Sequence, residues 1–484
     1  MKRGITVKSK SSTAVSGAAR PFGAIDKWAY AMGDLGCNMS FALNSYLMLF
    51  YTQYIGLSLT TWGVIILFLK IWDGVNDPIM GGLMDSIKPG KRGKFKTYIF
   101  YGSFVLLVSG AMCFLPIPSA PYWVKVLVCV LGYLVWDMSY TVVNVPYGAM
   151  SAAITAKPTE RAQLSTYRSI GAGIANVITM LLLPVLIYNE RDELLGNRMF
   201  IIALVMGVMG FIAFQILLKG TTERITVSAE NKPREKYNYF KAIGGFFKNR
   251  AAVGCTLAAI AQLISLAGMQ NANQILFQSY FKMAKLSGLT TIMAYLPMVI
   301  FIPLVKPLVK RFGKKEASAY PLILGIISSL LMTVLPITAD TKGVVVWIIL
   351  LMLYGLSTGV FLLVCWAMVS DSIDYHEFRT GRREEGTIYA TYSLGRKLAQ
   401  GFGASVISFL LEAVGYIPTL GPDQTLDVAL NIKQLCGLIQ FTGALIMFIS
   451  LAVIYNLDKK TVSKMEQSLG RSNLDVVGEA SGDD

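Results

Sequence analysis

The chain has 484 residues, of which 54% are hydrophobic and only 15% charged, with a formal net charge of +15. Soluble globular domains average roughly 25% charged residues, so an ordinary soluble fold is excluded and a polytopic helical membrane protein is indicated. The basic excess is spread over short segments between apolar runs, so it is a topology signal and implies no nucleic-acid partner.

In chain order, residues 1–26 are polar and basic, with neither an apolar core nor a small-residue cleavage site. They read as a disordered cytosolic tail, which leaves the first span to act as the insertion signal. Apolar windows of spanning length follow at 28–56, 60–84, 97–117, 122–150, 164–189, 197–218, 251–281, 286–309, 318–338, 343–370, 386–416 and 430–456. The fifth and eleventh are interrupted by Arg168 and Lys397. Lys and Arg gather in the N-terminal tail and after the even-numbered spans, whereas the opposite loops hold few. That bias places both termini in the cytoplasm of a plasma-membrane protein surrounded by lipid, with a monomer as the expected functional unit.

The polar segment 219–250 divides the chain into two six-helix bundles, 27–218 and 251–456, followed by a cytosolic tail, 457–484. A weak internal repeat supports the division. Lys91-Arg92-Gly93-Lys94 after span 2 is echoed by Lys310-Arg311-Phe312-Gly313-Lys314-Lys315 after span 8. Repeated halves around a midplane site are a common build of secondary transporters.

The six cysteines lie within or at the edge of spans without a CxxC pair, and His376 is the only histidine. Neither a disulfide framework nor a His-based metal cluster is indicated. The loop Lys88–Lys94 lacks the phosphate-loop spacing, and no catalytic constellation is found, so no cofactor is expected and an enzyme is not indicated.

The most informative stretch is Trp72-Asp73-Gly74-Val75-Asn76-Asp77-Pro78, deep in span 2. Asp73 and Asp77 are four residues apart, one turn along a helix face, with Asn76 beside Asp77. Intramembrane carboxylates are costly and are kept where they pair or bind something. One reading is a buried salt bridge with Lys70 or Lys397. The other is a monovalent cation site, with Na+ at Asp73 and Asp77, because hard cations prefer oxygen ligands. Lys397 would balance the second carboxylate, and a proton could replace the metal ion, since paired carboxylates raise one another's pKa.

Polar stripes mark the other candidate surfaces. Span 1 carries Asp34, Asn38, Phe41 and Ser45; span 4 carries Asp137, Tyr140, Thr141, Asn144 and Gly148; span 7 carries Gln270, Asn273, Gln274 and Gln278. Amides and carboxylates suit sugar hydroxyls, and Trp136 or Tyr140 suits an apolar sugar face. The alternative is interhelical hydrogen bonding. A site between the halves, drawn from spans 1, 4, 5, 7, 10 and 11, adds Trp366 and Ser393 to the expected substrate lining. Arg168 is either a substrate contact or the partner of an intramembrane Asp. Glu160, Arg161, Asp371, Asp374 and Arg383 read as an interdomain gate or as a solvated loop.

These residues resemble a known family. Tyr30-Ala31-Met32-Gly33-Asp34, the Trp72–Pro78 stretch, Arg92-Gly93-Lys94-Phe95-Lys96, Asn144-Val145-Pro146-Tyr147, Arg161-Ala162-Gln163-Leu164 and Asp371-Ser372-Ile373-Asp374-Tyr375 are similar to the glycoside–pentoside–hexuronide:cation symporters, the melibiose-carrier-like branch of the major facilitator superfamily. The resemblance covers about residues 27–456. It implies an all-α fold of twelve transmembrane helices and uptake of a sugar or glycoside coupled to Na+, Li+ or H+. It further implies that Asp73, Asn76, Asp77 and Thr141 hold the cation, that Lys397 lies beside them, and that Arg168 contacts the sugar. Cys37, Asn144 and Gly148 depart from the melibiose pattern, and Asp34 and Asn38 are expected to take over part of the contact. The alternatives are a same-fold transporter of another cargo, such as a lysolipid, and a non-transporting sugar sensor.

Overall fold

The computed structural model describes residues 20–86, 93–155, 157–224, 246–381 and 385–469. Most of the expected N-terminal tail, most of the central loop, the end of the C-terminal tail and Arg383 lie outside these residues, as does the side chain of Asp77.

Among the described residues, twelve long helices follow one another in chain order. The first half contains α1 (Ala24–Leu43), α2 (Leu59–Ser86), α3 (Lys94–Met112), α4 (Tyr122–Ile154), α5 (Pro158–Ile187) and α6 (Gly196–Gly220). The second contains α7 (Arg250–Ser279), α8 (Ser287–Phe312), α9 (Pro321–Val334), α10 (Thr341–Thr380), α11 (Glu385–Ala413) and α12 (Leu426–Ile449). The segment after α1 continues in helical turns to Tyr54, and a short helix, Lys314–Ala319, leads into α9. The C-terminal segment is not plain tail: Lys459–Ser468 forms a helix, α13.

Helix ends follow local chemistry. Asn249 accepts from Ala252 N at 3.1 Å to start α7, and Asp340 accepts from Gly343 N at 2.8 Å to start α10. These caps satisfy orphan amides of the first turn. Nothing breaks α10 before Gly381, which takes a left-handed φ of 67° as its C-cap. The helix therefore runs ten residues past the expected span end, and Asp371 and Asp374 stand on helix, not on a loop.

Among the described residues, eight helices are long and apolar enough to cross a membrane, or nine if the bent pair Ala284–Val299 and Ile302–Phe312 is one span. The helices that fall short are α1, α2 and α11. These three carry Asp34, Lys70, Asp73, Arg396 and Lys397, so the charges that lower their hydropathy are the ones that build the site. Outward faces are apolar, with Leu182, Val205, Ile212, Val299 and Val453 exposed, as lipid contact requires.

Packing is dense within each half: α1 lies on α5 and α6, α3 on α4 and α6, α7 on α11 and α12, and α10 on α8 and α9. The halves meet where α2 crosses α11 and α5 crosses α8. At the second crossing a Cβ on Gly288 would come within 1.6 Å of the Met180 carbonyl oxygen, so only glycine permits this approach.

The internal repeat is structural. Gly93 and Gly313 both adopt positive φ, 106° and 95°, at the starts of the helices beginning at Lys94 and Lys314. Each lies against a carboxylate, Glu223 for Gly93 and Glu316 for Gly313. At this same end, where the described residues begin and end and which is here called proximal, α1 is tied to the end of α6. The Asp26 carboxylate is fully buried and pairs with Arg224 at 2.9 Å and Arg20 at 3.0 Å. Glu223 accepts from Phe95 N and Lys96 N at 3.2 and 3.1 Å, which caps α3.

Removing one partner of a buried ion pair leaves the other uncompensated, at about 3 kcal/mol or more. Asp26→Ala should therefore lower the stability of the purified protein by about 3 kcal/mol, measured as a drop in its thermal unfolding midpoint. An unchanged midpoint would show that this tie contributes nothing.

Candidate functional site

Between the halves, α1, α2, α4 and α11 enclose a cavity of about 160 Å3. Its walls are Phe41 and Asn44, Lys70 and Asp73, Tyr133, Trp136, Asp137, Tyr140, Thr141 and Asn144, and Lys397 and Gln400. The α4 residues share a face because they recur at three- and four-residue intervals.

Asp73 lies between two ammonium groups. Lys70 Nζ is 3.6 Å from its Oδ2, and Lys397 Nζ is 3.8 Å from its Oδ1. Lys70 comes from the same helix one turn away, whereas Lys397 comes from the other half of the chain. At about 4 Å and an effective dielectric of about 20, such a pair is worth about 4 kcal/mol before desolvation. Asp73 thus forms ion pairs with both lysines at once. Lys70 also lies over the Tyr133 ring, 5.5 Å from its centroid. Thr141 and Asp137 line the same cavity, and Asn76 is buried with its Nδ2 unpartnered.

A second charged pair joins α1 to α5. Arg168 Nε donates to Asp34 Oδ1 at 2.9 Å, and Asn38 Nδ2 donates to Asp34 Oδ2 at 3.2 Å. Arg168 is therefore the partner of an intramembrane Asp, and it also stacks 5.1 Å from the Tyr147 centroid. Cys37 Sγ lies 3.8 Å from Asn144 Oδ1, which links two of the three positions that depart from the melibiose pattern.

Phe41 connects this cavity to two others. One, of about 150 Å3, reaches Gln270; the next, of about 60 Å3, reaches Gln274, Asn176 and Ser287. The Gln274 Oε1 and Ser287 Oγ atoms are buried and unpartnered. Two other residues of the α7 stripe do not line any of these three cavities. Asn273 donates to Thr290 Oγ1 at 2.7 Å and accepts from Trp347 Nε1 at 3.0 Å, so it ties helices together. Trp366 and Ser393 also lie outside the linings of these cavities.

Gln278 belongs to a closure at the distal end. It accepts from Gln53 Nε2 at 2.7 Å and donates to the Asp192 carbonyl at 2.8 Å. Gln53 also donates to Tyr416 Oη at 2.7 Å, and Asp192 accepts from Ala284 N at 2.9 Å. These bonds join the two halves. Sequence reasoning missed Gln53, Asp192 and Tyr416, since polar residues at span ends are ordinary interfacial residues without a pattern of their own.

Three of the expected gate residues, Glu160, Arg161 and Asp371, bond within their own halves. Glu160 meets Lys157 at 3.1 Å, Arg161 donates to the Thr155 carbonyl at 2.9 Å, and Lys314 lies 2.7 Å from Asp371. Glu160, Arg161 and Asp371 thus form no ion pair across the proximal end among the described residues.

The family described as MFS/sugar transport protein matches residues 29–459. An uncharacterized symporter of Bacillus subtilis is 30% identical over 92% of this chain and 95% of its own. A putative sulfoquinovose importer of Salmonella typhimurium is 30% identical over 90% of each chain. A glucuronide carrier protein homolog of Escherichia coli is 26% identical over 89% of this chain and 92% of its own. In fold, the chain is similar to a D-xylose-proton symporter (TM-score 0.59, 14% identity, 88% of this chain and 96% of that one). It is also similar to a nucleoside transporter (TM-score 0.60, 13% identity, 90% of this chain and 100% of that one). The sequence resemblance and these matches agree: the chain belongs to the MFS/sugar transport protein family of multi-pass membrane transporters.

Proposed function

We propose that this protein imports a sugar or glycoside across the plasma membrane by symport with a monovalent cation, through alternating access of its two halves. The observation that carries this reading is Asp73 held between Lys70 and Lys397. One carboxylate shared by ammoniums from both halves converts ion occupancy into a mechanical tie. Na+, Li+ or a proton arriving at Asp73, with Asn76, Asp77 and Thr141 as further oxygen donors, takes over the countercharge that Lys397 supplies. With the cation and the sugar both bound, the α2–α11 tie weakens and the two halves can rearrange. The coupling ion is the only auxiliary species the scheme needs.

The sugar occupies the connected cavities around Phe41. Asn38, Asn144, Gln270 and Gln274 offer amides to its hydroxyls, and Trp136 and Tyr140 cover an apolar face. Asp34 and Arg168 form the charged edge of this site. With basic segments on the cytoplasmic side, the proximal end faces the cytoplasm. The structure then represents a state closed to the outside by Gln53, Gln278 and Tyr416. Glu160, Arg161, Asp371, Asp374 and Arg383 are the groups that re-pair when the proximal end closes.

In proteoliposomes, Asp73→Asn should abolish gradient-driven sugar accumulation while leaving insertion normal, and Asp77→Asn should do the same. Accumulation at wild-type rates would remove the residue from the coupling site, and wild-type uptake indifferent to Na+, Li+ and proton gradients would refute symport.

A cysteine pair at Gln53 and Gln278 tests the closure. Oxidation should stop uptake and reduction should restore it; undiminished uptake with the disulfide formed would show that this end does not gate.

A further inference from the structure

Lys70, Asp73, Asp137 and Lys397 all line the cavity of about 160 Å3. The ion pairs of Asp73 account for three of them. Asp137 is the fourth. It is 7% exposed and lies deep in α4, where a carboxylate is costly and is kept for a use.

The face of α4 that carries Asp137 is built around Lys70. Tyr133, Asp137, Thr141 and Asn144 recur at i, i+4, i+8 and i+11, and all of them line the cavity. The Lys70 ammonium lies 5.5 Å from the centroid of the Tyr133 ring, one helical turn from Asp137. It interacts electrostatically with both Asp73 and Asp137. The root of this lysine is pinned, because a Cβ on Gly401 of α11 would come within 2.4 Å of Lys70 Cβ. The outer carbons remain to swing the ammonium between Asp73 on α2 and Asp137 on α4.

Coupling needs such a second acceptor. A cation that takes the place of Lys397 at Asp73 displaces a group of the other half, which moves off with α11. Lys70 stands three residues from Asp73 on the same helix, so no movement of the halves carries it away. Left 3.6 Å from the carboxylate, it repels the arriving cation and competes for the same charge. Asp137 belongs to the same half as Lys70, so it stays beside Lys70 while the halves rearrange.

We propose that Asp137 is a positioning residue of the cation site: it draws the Lys70 ammonium off Asp73 when Na+, Li+ or a proton arrives there. This rests on the symport reading above. Asp137 does not ligate the cation and acts only through Lys70.

The test titrates Na+, Li+ and acid in turn into the purified full-length protein and reads binding from Trp fluorescence, because Trp136 lines the cavity. For the cation that the wild type binds, Asp137→Asn and Asp137→Ser should each weaken the apparent affinity about tenfold or more, the scale of losing one partner of a buried charge pair. Asp137→Glu, which keeps the charge, should restore most of it. Lys70→Met removes the competing ammonium and should tighten binding. In that background Asp137→Asn should shift the affinity by about threefold or less, since the two residues act as one unit. An equal loss in both backgrounds would make Asp137 a direct ligand and overturn the inference. Unchanged affinity in Asp137→Asn and Asp137→Ser, or weaker binding in Lys70→Met, would overturn it too and leave symport standing. Wild-type protein that binds none of the three cations would overturn the symport reading along with it.

Discussion

The constraint behind this architecture is the cost of charge in a low-dielectric interior. The helices α1, α2 and α11 are too polar to qualify as spans by hydropathy, and they cross the bundle because their charges meet one another inside it. Asp34 finds Arg168 on a neighbouring helix of the same half. Asp73 finds Lys70 on its own helix and Lys397 on the other half. The second pairing reaches across the interface that must rearrange if cargo is to pass.

The two ends of the molecule are held by different chemistry. At the distal end the halves are joined by hydrogen bonds among Gln53, Gln278, Tyr416 and the Asp192 carbonyl, by the Asp192 carboxylate accepting from Ala284 N, and by the solvent-exposed Lys285–Glu190 pair. The neutral bonds are worth about 1 kcal/mol each, so they are readily exchanged for water. At the proximal end the ionic contacts of Asp26, Glu160 and Asp371 stay within one half. Each half is thus stiffened internally at the proximal end, while the halves meet through the α2–α11 crossing and the distal contacts. Coupling requires that the ionic tie in the middle, and not the distal closure, decides which end opens.

Much of this was legible in the sequence because charge in an apolar run stands out. Asp73, Lys70, Lys397, Arg168 and Asp34 were visible for that reason, and the Gly93/Gly313 echo gave the repeat. Amides were not legible. Asn273, Gln274 and Gln278 sit on one apolar helix with the same local signature, yet one ties helices together, one lines a cavity and one closes an end. What separates them is which neighbour each meets, and a single sequence carries no record of that. The extension of α10 past 370 was also missed, since hydropathy sees where the membrane ends and not where the helix does.

The central claim is that cation occupancy at Asp73 releases α2 from α11. Spin labels at Val64 and Val406, both exposed on these helices, report that separation directly by pulsed electron resonance. Adding the coupling cation with cargo should shift the distance distribution to longer values, and the shift should vanish in Asp73→Asn. A distribution unchanged by Na+, Li+, acidification and cargo, in protein that still accumulates sugar, would contradict the account.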